Sequence, residues 1–124
     1  MRRSPVRRQS ARRRREQAVR RGYAAELGDT ACALKVFNVC TGMAEAFHEL
    51  VGAGQGGSRV DRSNLAPACN RCNSHVEDHP QLAVLHGWKV PQRDAVPGDG
   101  GLVPAVPNRH AIRQHTAWNG PADA

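Results

Sequence analysis

The sequence predicts a small α+β domain stapled by a structural metal and flanked by extended tails. Three observations point there. Four cysteines stand in two pairs, Cys32 with Cys40 and Cys69 with Cys72, in a chain of 124 residues. The aromatic side chains are only Tyr23, Phe37, Phe47, Trp88 and Trp118, and much of the remaining apolar content is Ala and Val. A domain with so little to bury needs a staple. Finally, a glycine-rich loop separates two short apolar segments, and helix signals follow them.

Residues 1–21 form a basic arm. They hold ten arginines against Glu16, a net +9, while the other 103 residues hold eight Lys/Arg and ten Asp/Glu, a net −2. A block of like charge with few large apolar residues cannot pack a core, so the arm is expected to be disordered in isolation. Residues 17–25 are expected to lead into the domain as a helical turn. Arginine clusters pair with phosphates and release counterions, which makes Arg12, Arg13, Arg14, Arg15, Arg20 and Arg21 candidates for nucleic-acid contact. An Arg-rich, acid-poor segment also suits a transit peptide. Against that reading, only Val6, Ala11, Ala18 and Val19 break the polarity, too few for an apolar face. No run approaches the ~18 apolar residues of a membrane span, so no membrane partner is expected. With no secretory h-region, the chain reads as soluble and intracellular, where cysteines stay reduced and tend to be metal ligands.

The domain proper is expected over residues 22–91. Gly28 and Asp29 punctuate its start, and Thr41 with Gly42 read as a turn. Residues 44–50 suit a short strand. Gly52, Gly54, Gly56 and Gly57 then make a loop running to Asp61, because four glycines in six positions suit neither a helix nor a strong strand. Residues 65–68 suit a second strand and residues 73–78 a helix. Pro80 opens another helix as its first residue, and Gly87 closes it. Residues 92–124, rich in proline and glycine, read as an extended tail with one strand near 102–106.

The cysteines carry the firmest chemistry. Cys69-Asn70-Arg71-Cys72 is a CxxC knuckle, a spacing that lets two thiolates grip one tetrahedral zinc. Cys32 and Cys40, with seven residues between them, would complete a closed structural site. Two disulfides or a redox pair are the competing readings, and the reduced compartment argues against them.

Between the pairs lie His48, the glycine loop and Asn64. The run from Cys40 to Leu50 with His48-Glu49, then Gln55-Gly56-Gly57-Ser58, resembles the HNH (ββα-metal) endonucleases. So do Ser63-Asn64-Leu65, Cys69-x-x-Cys72-Asn73, Pro80 and Gly87-Trp88. The likeness is closest to small phage and prophage members from actinobacteria and covers about half of the chain, in an order more specific than any single piece. It implies a ββα-metal fold and a bacterial cytoplasm as the setting. His48 matches the family's general base, which deprotonates water for attack on a DNA phosphodiester. Asn64 matches the central asparagine that ties the loop to the strand and orients the base. Asn73 stands where a ligand to one catalytic Mg2+ or Mn2+ ion sits, and an amide oxygen suits so hard an ion.

Two positions depart from the pattern. Family members commonly have His or Asp, a further metal ligand, where this chain has Phe47, and an arginine before the Gly-Gly pair where it has Ala53. Glu49, His75 and Glu77 are weaker candidates for the missing ligand. The expected function is therefore an HNH-type endonuclease with no small-molecule cofactor. Its rival is a zinc-stapled accessory protein that binds DNA without cutting. A disulfide-bonded secreted toxin would need a signal sequence.

Overall fold

The computed structural model describes residues 10–106. Helix α1 (Ala11–Leu27) opens it, followed by strand β1 (Ala46–Glu49), strand β2 (Leu65–Ala68), helix α2 (Asn70–Asp78), helix α3 (Pro80–Leu85) and strands β3 (Ala95–Gly98) and β4 (Gly101–Pro104). The strands form two separate antiparallel pairs, β1 with β2 and β3 with β4. The architecture is α+β.

The arm departs from its expected disorder. Its second half is helical, because Ala, Arg, Glu and Gln are all good helix formers and Ser10 caps the start, its Oγ accepting from the Arg13 amide at 3.1 Å. Gly28 ends the helix at a φ of +46°, which favours glycine. Charge alone hid this helix. One stripe of it, Glu16, Arg20, Tyr23 and Leu27, is drawn against the domain, while Arg13, Arg14, Arg15 and Arg21 stay exposed. The remaining arginines of the arm, Arg2, Arg3, Arg7 and Arg8, lie outside the described residues.

The β1–β2 pair divides the core into two layers. Phe47 lies opposite Pro67, His48 opposite Ala66 and Glu49 opposite Leu65. Since strand side chains alternate, Phe47, Glu49, Leu65 and Pro67 share the face toward α1. His48, Ala66 and Ala68 share the face toward α2. On the first face Leu27, Phe47 and Leu65 pack together with Tyr23, whose ring meets Phe47 edge-on at 6.3 Å. On the second, Leu34, Val36, Leu50, Val76 and Ala83 gather with Cys32, Cys69 and Cys72, and Trp88 packs against them as a plug. Three of the cysteines are thus core residues.

The connection between β1 and β2 folds back on itself. Gly57 donates to the Gly52 carbonyl at 3.0 Å, and a Cβ on Gly57 would stand 1.7 Å from the Val51 oxygen, so only glycine fits. α2 begins at Asn70, three residues ahead of the sequence expectation, because Cys69 caps it by accepting from the Cys72 amide. Pro80 opens α3 as its first residue.

The extended-tail reading of residues 92–124 is corrected for its first part. Strands β3 and β4 make a hairpin that docks on the glycine loop, with Ser58 donating to the Leu102 carbonyl at 2.9 Å and Leu102 to that of Gly56 at 2.8 Å. Gly101 fits there because a side chain would meet the Gly56 oxygen at 2.8 Å. Ser58 Oγ donates to the Asp99 carbonyl and Arg12 to that of Gly100, so the hairpin also joins the loop to α1. Residues 107–124 lie outside the described residues, while the strand expected near 102–106 is found as β4, Gly101–Pro104. Among the described residues no helix is long and apolar enough to cross a membrane.

Candidate functional site

The four cysteines converge. Their sulfur atoms all lie within 4.8 Å of one another, and none is in a disulfide. The wide spacing of the first pair is closed by a loop through Val36, which accepts from the amides of Val39 and Cys40. Lys35 and Asn38 take left-handed backbone there, at φ +49° and +64°. The knuckle helix brings the second pair. Burial acts to raise the Cys69 thiol, but hydrogen bonds from Thr41 and Cys72 outweigh it and bring the thiol down to about 6. Burial pushes the Cys72 and Cys40 thiols up. A set of thiols this close with one already acidic could hold a tetrahedral metal ion such as zinc, since a bound cation favours the thiolate at every sulfur.

A second cluster lies beside the knuckle helix. His48 is 1% exposed on the α2 face of β1. Its Nε2 meets the Trp88 carbonyl and its Nδ1 lies 3.0 Å from Asn73 Oδ1. A carbonyl can only accept, so Nε2 carries the proton of the neutral ring and Nδ1 keeps the lone pair. Asn73 can present its NH2 to that lone pair, or its oxygen to a protonated Nδ1. Burial lowers the His48 pKa below its ordinary value and the Lys89 charge lowers it further. The Trp88 carbonyl, Asn73 and Glu77 act the other way. The ring is therefore neutral at pH 7, as a proton acceptor must be.

Glu77 completes the cluster. It stands one turn beyond Asn73 on α2, with Oε1 at 3.7 Å from His48 Nδ1 and 2.8 Å from Lys89 Nζ. The i, i+4 spacing from Asn73 is the signal that could have ranked it higher. Lys89 was missed, because it arrives from the separate segment after α3 and no local pattern marks it.

Two weaker metal-ligand candidates lie elsewhere. Glu49 is on the α1 face, paired with Arg20 at 3.0 Å, because the residue after His48 must point away from it. His75 stacks on His79 with ring centroids 4.2 Å apart, and it lines a shallow hollow with Arg71, Ser74 and Asp78, facing away from Asn73. Phe47 does not obstruct the cluster, since it packs toward Tyr23. Arg20 is held by Glu49 and the Arg59 carbonyl, and Arg12 by Glu16 and Gly100. Arg12, Arg13, Arg14, Arg15 and Arg21 are the exposed arginines of α1.

Asn64 is fully buried and does not reach the His48 ring. Its Oδ1 accepts from the Val51 amide at 2.8 Å, and its Nδ2 donates to the carbonyls of Val51 at 3.0 Å and Ser58 at 2.7 Å. It fastens the glycine loop to both strands. Asn64→Ala would leave three buried backbone groups without partners, at about 1–3 kcal/mol each. A loss of about 3 kcal/mol or more is expected in denaturant unfolding.

No protein-family profile, no curated protein and no solved structure matches this chain.

Proposed function

We propose that the chain is a metal-dependent endonuclease of the HNH type that hydrolyses DNA phosphodiester bonds. The observation that carries this reading is the His48 ring. Its Nε2–H is anchored on a backbone carbonyl, which leaves Nδ1 as the basic nitrogen, facing two side chains of one helix face, Asn73 and Glu77. A fixed tautomer with one unprotonated nitrogen at pH 7 is what a general base needs.

In this reading the four cysteines hold a structural zinc ion that ties the knuckle helix to the strands. Asn73 and Glu77 offer two oxygen donors, the type that Mg2+ and Mn2+ prefer, and would hold one such ion. When bound, that ion would act as a Lewis acid on the phosphodiester and its leaving oxygen. His48 takes the proton of the attacking water at Nδ1, while the Trp88 carbonyl holds the ring through Nε2–H. Glu77, 55% exposed, lies on the solvent side from which DNA would arrive. The arginines on the outer face of α1 supply affinity that does not depend on sequence and weakens with salt.

One observation favours a second reading, a zinc-stapled DNA-binding accessory protein. His48 is almost sealed, and a general base must meet water. Plasmid cleavage separates the two. The nuclease is expected to nick or linearise supercoiled plasmid with Mg2+ or Mn2+ and to do neither without an added divalent ion. Plasmid that is shifted in a gel yet stays supercoiled with both ions would select the accessory protein.

A further inference from the structure

Between the glycine loop and α3 runs an open cleft of about 290 Å3. Pro80 and Val84 form one wall, Val90 and Pro91 another, and Gly54 lines the loop side. Among the described residues Lys89 is the only charged side chain that lines it, with Gln55 the one uncharged polar side chain. Lys89 is also the link to the His48 cluster, because the same Nζ lies 2.8 Å from Glu77. The cleft is thus an apolar trough with one cation at the end that meets the candidate active site.

That combination suits one nucleotide, whose base face and sugar carbons can lie along apolar walls while its anionic phosphate meets a cation. Lys89 Nζ donates to the Glu49 carbonyl at 3.1 Å and meets Glu77 at 2.8 Å, which leaves the third donor of its ammonium for a phosphate oxygen. The trough is at the small end of ligand pockets, about 300 Å3, with space for a single nucleoside. In a duplex the bases are stacked and paired, and entering such a site costs the unstacking energy. A single strand, or a frayed end, avoids that cost. No cation of the glycine loop lines the cleft, and Lys89 supplies the charge from the facing wall.

We propose that this cleft is a subsite for one unstacked nucleotide of a DNA strand, with Lys89 on its phosphate and the Pro80, Val84, Val90 and Pro91 walls around its sugar and base. The inference rests on the nuclease reading and narrows its substrate to single-stranded or locally opened DNA.

The test is fluorescence anisotropy of the full zinc-loaded chain with a labelled single-stranded 12-nucleotide DNA and with the matching duplex, without added divalent ion. Gly54→Leu fills the trough. The position tolerates a side chain, since a Cβ there meets nothing within 4 Å. It is expected to weaken single-strand binding at least about fivefold, as loss of one base contact does, and to leave duplex binding within about twofold. Lys89→Met, which removes one phosphate contact, is expected to flatten the slope of log affinity against log salt for the single strand by about 0.7. Single-strand affinity unchanged in Gly54→Leu, equal loss for both DNAs, or an unchanged salt slope in Lys89→Met would overturn the subsite. Plasmid cleavage on the same samples separates the two ideas. Cleavage by the wild type with unchanged binding by the variants removes the subsite alone. Selective loss of single-strand binding without any cleavage removes the nuclease alone.

Discussion

Cys72→Ser is expected to unfold the region from Cys32 to Val90 rather than to loosen it. Cys72 is fully buried, and with Cys32 and Cys69 it sits inside the larger core cluster, whose other members are mostly small or medium side chains. Phe37, which might have enlarged that core, is 91% exposed. Structural zinc contributes about 10–16 kcal/mol in isolated zinc fingers, against a net stability of about 5–15 kcal/mol for an ordinary domain. Losing one of four ligands weakens a contribution that is itself as large as the whole stability, and it leaves a buried hydroxyl among three thiols. The measurement is zinc content per chain, with thermal unfolding followed by circular dichroism. Wild type is expected to carry one zinc and to melt cooperatively. The variant, and wild type stripped by a strong chelator, are expected to lose the cooperative transition. A variant that still melts cooperatively within about 2 kcal/mol of wild type would show that the apolar core suffices, against the expectation for so small a domain.

The second large effect concerns chemistry. His48→Ala is expected to lower plasmid cleavage by about 10²- to 10⁴-fold, the usual contribution of a positioned general base. Because the ring is buried, its removal also leaves a cavity and frees the Trp88 carbonyl, so some stability is lost as well. His48→Asn is the companion variant, since its amide can still donate to a carbonyl while lacking a basic nitrogen. Both are expected to keep zinc, because no zinc ligand lies on β1 and the cysteine cluster is built from other segments. Loss of cleavage in both, with zinc and melting retained in at least His48→Asn, assigns the effect to the base rather than to folding.

Parts of this fold are written plainly in the chain. The apolar run at residues 65–68 marks β2, Pro80 marks the start of α3, and the CxxC knuckle marks half of the four-cysteine cluster. Each depends on local chemistry that a short stretch carries whole. Other parts depend on packing between distant segments. The helix over Ala11–Leu27 is masked by its own charge, since the stripe it turns inward has the half-buried Glu16, Arg20 and Tyr23 beside the buried Leu27. The β3–β4 hairpin contains Pro97, Gly98, Gly100 and Gly101, which read as breakers. They are tolerated because Pro97 lies on β3 while the outer edge of β4 is hydrogen-bonded to the glycine loop, on which the hairpin leans. Within the candidate site, His48 and Asn73 are legible as a pattern, and Glu77 follows from helical spacing. Lys89 is visible only once the segment after α3 is seen to fold back, with Val90 donating to the Leu50 carbonyl at 2.9 Å.

The most direct test of the central claim is plasmid cleavage by wild type and His48→Asn side by side, in Mg2+ and in Mn2+, with zinc measured on both samples. Cleavage by wild type that disappears in the zinc-replete variant is the expected result. Equal cleavage by the two proteins, or none by wild type with either ion while it still binds DNA, would contradict a nuclease centred on His48.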